Sequence, residues 1–202
     1  MIKEFIDMPR LERWVGRTFC FLSPNTWTTV SLFVSAIAFA IVWSGHSSWG
    51  AAVFGLGSVL DVVDGKVARY IGRSTKLGAF WDGTVDRFVD MLMILCLFKL
   101  PMPDSILPQG ILLFLLLFTT VLPPFIVAYA NHRGAVPDPT EKVIWRFAFR
   151  IEYVILFVAA ILLYGYSPLW SLYVVYAALF LMVATVIQAI ILVFVKSKNY
   201  PQ

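Results

Sequence analysis

Asp61-Val62-Val63-Asp64-Gly65-Lys66-Val67-Ala68-Arg69, followed after eight residues by Gly78-Ala79-Phe80-Trp81-Asp82-Gly83-Thr84-Val85-Asp86, sets four carboxylates in fixed register. The flanking residues are apolar enough to lie in a membrane, where charge is costly and usually marks a bound ion or a reaction. On a helix, Asp64 lies about 60° to one side of Asp61, Gly65 about 40° to the other and Ala68 about 20° away. Two acids and two small residues therefore share one face. The acids can hold a cation, and the small residues let a ligand approach the backbone. Arg69, about 80° round the helix, can reach a phosphate or steady a carboxylate. Gly78, Asp82 and Asp86 recur every fourth residue, with the two acids about 6 Å apart along the axis. Asp90 adds one more step. The short link 70–76 predicts antiparallel neighbours with their acid faces turned together.

Of 202 residues, 60% are hydrophobic and 14% charged, with a mean hydropathy of +0.82. A soluble domain of this length would carry more charge. The composition predicts an all-α integral membrane protein with a single membrane domain over 23–202, behind a juxtamembrane segment 1–22. Six apolar runs are long enough to cross: Trp27–Trp43, Trp49–Tyr70, Leu77–Leu100, Leu107–Tyr129, Ala148–Leu163 and Leu169–Val195. Ile2, Phe5, Ile6, Leu11, Trp14 and Val15 alternate with charged residues, which fits an amphipathic helix in the membrane interface or a short helix capping the bundle. Pro123-Pro124 should kink the fourth run, since neither proline donates to the helix ladder. Cys20 and Cys96 suggest no disulfide framework. No apolar stretch follows Lys3 closely enough to read as a cleaved signal peptide.

Basic residues gather before the first run, between the second and third, between the fourth and fifth, and at the tail. That alternation predicts six spans in the cell membrane, with both termini and the aspartates on the cytoplasmic side. Nothing in the chain points to a nucleic-acid partner.

Four ionised aspartates in one pocket repel one another. Either some are protonated or divalent cations sit among them. A site of carboxylates alone, with no nearby Cys or His, favours Mg²⁺ or Mn²⁺ over zinc. Such ions commonly accompany a phosphate or diphosphate substrate, and two of them can stabilise its leaving group.

The pattern D-x2-D-G-x2-A-R-x8-G-x3-D-x3-D resembles the signature of the CDP-alcohol phosphotransferase family, with every specified position present. A chance match at eight positions is on the order of 10⁻⁹ per starting point. Ser23-Pro24-Asn25-Thr26-Trp27-Thr28 is similar to the family's Pro-Asn-x-x-Thr opening. The resemblance implies six transmembrane helices around a polar cavity open to the cytoplasm, commonly as a homodimer. It implies transfer of a lipid phosphate group from a CDP-linked lipid to an alcohol, with release of CMP. Asp61, Asp64 and Asp82 would hold two Mg²⁺ or Mn²⁺ ions, with Asp86 beside them as part of the metal set and as general base. Gly65, Ala68, Arg69, Gly78 and Thr28 would form the nucleotide site, with Asp61 shared between metal and nucleotide.

Arg133, Lys142, Arg146 and Arg150 either set topology or form an anion site for a phosphate on the acceptor. The second reading favours a phosphorylated polyol such as inositol phosphate or glycerol phosphate. Three other readings compete: a structural ion-pair network of the aspartates with Lys66, Arg69 and Arg87, an intramembrane prenyltransferase, and a cation or proton transporter. The complete signature and the small residues at fixed offsets favour the transferase. Asp90, outside the signature, reads as structural.

Overall fold

A computed structural model describes residues 9–72, 75–136 and 148–198. They form seven helices: α1 (Pro9–Phe19), α2 (Pro24–Trp43), α3 (Ser47–Tyr70), α4 (Lys76–Lys99), α5 (Gln109–His132), α6 (Arg150–Tyr164) and α7 (Pro168–Ser197). No strand occurs among the described residues. The expected apolar runs lie within two or three residues of α2 to α7. The residues before Pro9 and the cationic candidates Lys142 and Arg146 lie outside the described residues.

By length and composition, α2, α5 and α7 can cross a membrane. Phe114 and Phe118 of α5, and Phe180 and Phe194 of α7, face outward, as lipid contact requires. This is a membrane protein. The other three long runs differ for identifiable reasons. Helices α3 and α4 carry the acid motif. Helix α6 begins at Arg150, not Ala148, and has 15 residues, or about 22 Å of rise.

Helix starts are chemically marked. Ser23 caps α2 by accepting from the Thr26 N–H at 3.2 Å, and Pro24 opens the first turn, where its missing N–H costs nothing. Thr75 caps α4, accepting from the Gly78 N–H at 2.9 Å. Helix α5 runs as one element through Pro123 and Pro124.

Helix α2 is the frame. It packs closely on α3 and also against α4, while α6 touches both α3 and α4. The α2–α3 seam is tight because glycines line it. A Cβ on Gly50 would meet Val42 Cγ2 at 2.2 Å, and one on Gly57 would meet Ser35 Oγ at 2.9 Å. The two motif helices behave otherwise. Their acid faces meet as the spacing predicted, but their backbones make little close contact, because ionisable side chains fill the gap.

Helix α1 lies over the end of α3. Val15 packs with Trp27, Val63 and Val67, while Trp14 points outward. A Cβ on Gly16 would meet Tyr70 Cβ at 2.3 Å. The indole N–H of Trp27 donates to the Phe19 carbonyl at 3.0 Å, tying α1 to α2. Neither cysteine is in a disulfide: Cys20 is exposed and Cys96 is buried in the core.

Candidate active site

Carboxylate oxygens of Asp61, Asp64 and Asp82 all lie within 4.8 Å of one another. The first two come from the last turns of α3, and the third from the second turn of α4. Each keeps an oxygen for a ligand. Asp61 Oδ1 is buried without a hydrogen-bond partner. Asp64 uses Oδ2 to accept from Thr28 Oγ1 at 2.5 Å. Asp82 has no hydrogen bond or ion pair among the described residues. An orphaned buried carboxylate oxygen is costly. Beside two more carboxylates it fits a hard divalent cation.

Thr28 also lies 3.1 Å from the Pro24 carbonyl. Its one proton has two candidate acceptors, and the carboxylate is closer. The Pro-Asn-x-x-Thr turn thus presents a hydroxyl from α2 to an acid of α3. Asn25 of the same turn sits against Gly78, where an added Cβ would come within 3.0 Å of Asn25 Oδ1. Gly65 differs: a Cβ there would meet only Arg69 Nη1, at 3.7 Å. Of the two motif glycines, Gly65 leaves open room and Gly78 secures packing.

Arg150, the first residue of α6, reaches into the acids. Its Nη1 is 2.5 Å from Asp61 Oδ2 and 2.7 Å from Asp86 Oδ1, and its Nε is 3.4 Å from Asp90 Oδ1. A cation at a helix N-terminus opposes the macrodipole, and these carboxylates offset that. Glu152, which accepts from the Phe149 N–H at 2.9 Å, supplies an acid in the same turn. Asp90 is 1% exposed. It accepts from Tyr153 Oη at 2.9 Å and pairs with Arg87 Nη1 at 3.1 Å. Arg87 Nη2 stands 3.7 Å from Asp86 Oδ2. Three carboxylates, those of Asp61, Asp86 and Asp90, share the guanidinium groups of Arg87 and Arg150.

The structure separates the cationic candidates. Arg150 sits within the carboxylates. Arg133 is exposed and donates through Nε and Nη2 to Tyr129 Oη at 3.1 and 2.9 Å. Arg69 pairs with Glu12 of α1 at 3.1 Å. Sequence reasoning missed Tyr153, and it missed the joining of Arg150 to Asp61 and Asp86. One signal for both was available, an arginine and a tyrosine three residues apart at the start of an apolar run.

The family model for CDP-alcohol phosphatidyltransferase matches residues 21–195, nearly the whole described bundle. The chain belongs to the CDP-alcohol phosphatidyltransferase family. It is 40% identical over 70 residues to phosphatidylinositol phosphate synthase of Corynebacterium glutamicum, covering 34% of this chain and 32% of that relative. It is 26% identical over 135 residues to archaetidylinositol phosphate synthase of Pyrococcus horikoshii, covering 66% of each. A putative cardiolipin synthase of Mycobacterium bovis is 30% identical over 153 residues, 73% of this chain and 68% of that one. The matched stretch thus spans about a third of the first relative's length. Among solved structures, Mycobacterium tuberculosis phosphatidylinositol phosphate synthase with manganese and citrate superposes with a TM-score of 0.76 at 22% identity, covering 95% of this chain and 92% of that one. The same enzyme with CDP-DAG bound gives 0.71 at 24% identity, covering 95% and 96%. These likenesses establish the fold.

Proposed function

We propose that this protein transfers the lipid phosphate group of a CDP-linked lipid to the hydroxyl of a phosphorylated polyol, releasing CMP. One observation carries the reading: Asp61, Asp64 and Asp82 converge within 4.8 Å, with Asp86 one helical turn beyond Asp82 and open space over Gly65.

Mg²⁺ or Mn²⁺, as one or two ions held by Asp61, Asp64 and Asp82, would neutralise the diphosphate and the departing CMP. The protein's own residues do the rest. Gly65 and Ala68 let the nucleotide approach α3, Arg69 faces its phosphates, and Thr28 orients Asp64. The acceptor oxygen attacks the lipid-side phosphorus, the bond from that phosphorus to the CMP oxygen breaks, and Asp86 takes the hydroxyl proton. Asp86 lies 2.7 Å from Arg150 through Oδ1 and 3.7 Å from Arg87 through Oδ2, and its buried Oδ1 has no hydrogen-bond partner, which supports an acceptor role. The motif has no Ser, Cys or His nucleophile, which supports direct displacement.

The inositol phosphate in two relatives' names supports a phosphorylated polyol as acceptor. Arg150, which reaches the acids of the site, would bind its phosphate, with Lys142 and Arg146 preceding it in sequence. The distribution of basic residues supports six crossings, cytoplasmic termini and a cavity open on that side. The exposed apolar faces leave room for a homodimer, and the outward Trp14 suits an interfacial α1.

The test is CMP release by purified protein given CDP-diacylglycerol, Mg²⁺, and inositol phosphate, glycerol phosphate, inositol or serine in turn. Release is expected with a phosphorylated polyol, and Asp86→Asn should lower it by about 10² to 10⁴-fold. Silence with every acceptor, or full activity of Asp86→Asn, would sink the assignment.

A further inference from the structure

Arg87 is held by an acceptor that a regular helix would not offer. Its Nη1 donates to the Thr120 backbone carbonyl of α5 at 2.8 Å. Thr120 is 1% exposed. In a continuous helix that carbonyl would accept from the N–H four residues on. The residue there is Pro124, which has no N–H. The proline thus leaves a buried carbonyl without its usual donor, and a buried carbonyl needs one. Arg87 supplies it.

The same guanidinium is 3.1 Å from Asp90 Oδ2 and 3.7 Å from Asp86 Oδ2. It is fixed from two helices, by a backbone oxygen of α5 and two carboxylates of α4. Asp90 in turn holds Tyr153 Oη and Arg150 Nε, and Arg150 reaches Asp61 and Asp86. The contact thus joins the α5 backbone to both charged partners of Asp86. Thr119's carbonyl, released in the same way by Pro123, is about 100° round the helix from Thr120's and points elsewhere.

We propose that Pro124 is a positioning residue for the transfer reaction: by withholding a helix N–H from the Thr120 carbonyl, it creates the acceptor that clamps Arg87 against Asp90 and Asp86. An alanine at 124 restores the N–H, which competes for the carbonyl and loosens Arg87. The inference rests on the proposed transferase reading, in which Asp86 accepts the alcohol's proton. Arg87 acts through Asp86 and Asp90 and does not itself touch substrate.

The experiment compares wild type, Pro124→Ala, Pro123→Ala, Arg87→Lys and the Pro124→Ala/Arg87→Lys pair as full-length protein in nanodiscs. kcat and KM for CDP-diacylglycerol are measured by CMP release. Thermal stability is followed in parallel. Pro124→Ala should lower kcat by about ten-fold or more while KM moves little, since the change misplaces the base and not the lipid. Pro123→Ala should stay near wild type. Arg87→Lys keeps the charge but cannot span carbonyl and carboxylates together, so it should match Pro124→Ala. The double variant should be no worse than Arg87→Lys alone, because both changes break one contact. Equal effects at 123 and 124, an additive double variant, or wild-type kcat in Arg87→Lys would each overturn the proposal. If Pro124→Ala fails to fold, Arg87→Lys still decides. A wild type that releases no CMP removes the transferase reading itself, whereas an active wild type with an indifferent Pro124→Ala removes this inference alone.

Discussion

The two sides of α3 obey different rules. Against α2 it is packed on glycine and small side chains, so closely that an added methyl at Gly50 would fall 2.2 Å from Val42 Cγ2. Against α4 it is held off, and carboxylates and a guanidinium fill the space. The seam gives α3 a fixed position without relying on polar contacts. The gap can then hold like charges that would push apart helices with no other anchor. Close packing on one side makes the electrostatic strain on the other tolerable.

Three substitutions test that contrast, the largest effect first. Asp82→Asn keeps the volume of the gap but removes one charge. Mn²⁺ affinity, read by electron paramagnetic resonance titration, should fall at least ten-fold, about the loss seen when only an outer-shell partner is removed. Metal-free thermal stability should hold or rise, because like charges are relieved. Unchanged Mn²⁺ binding would mean the acids serve structure alone. Gly50→Leu adds volume to the seam and no charge. It should destabilise the protein by about 1–3 kcal/mol through overpacking, seen as a lower Tm, while the folded fraction keeps its Mn²⁺ affinity. A change in affinity without a change in Tm would erase the distinction between the two sides.

The smallest effect is expected outside both regions. Glu12 and Arg69 form a pair whose side chains are 25% and 47% exposed, and such pairs contribute about 0–1 kcal/mol. Glu12→Gln should therefore shift KM for the CDP-lipid by no more than about five-fold, and less at high salt. A much larger loss would make α1 part of the nucleotide site and not merely its cover.

Hydropathy reads the helical runs well because burial and lipid contact are regional properties. It misses their ends because helix starts are set by single side chains. The run beginning at Trp27 becomes a helix from Pro24 because Ser23 supplies the cap. The acid register was legible for the same local reason: Asp61 and Asp64, or Asp82 and Asp86, are placed by one helix each. Thr28 belongs to a recognisable turn, yet its bond to Asp64 links α2 to α3 across 36 residues. Arg150 lies 89 residues from Asp61, and no periodicity spans that distance. It was legible as a cation but not as a partner of these acids. Pro124 shows a third case. A proline in a helix is easily read as a disturbance, but nothing in a one-dimensional pattern tells which side chain will use the carbonyl it frees.

The two thiols differ as sharply as the two sides of α3. Cys96 is fully enclosed, while Cys20 is exposed at the end of α1. A thiol-directed dye therefore finds one address on the native protein. That address adjoins Phe19, Phe21 and Trp27, whose rings stand 5.4 to 6.4 Å apart. The molecule thus carries a natural attachment point beside an intrinsic quencher, and light emitted there would report whether the first helix stays seated, with no residue replaced.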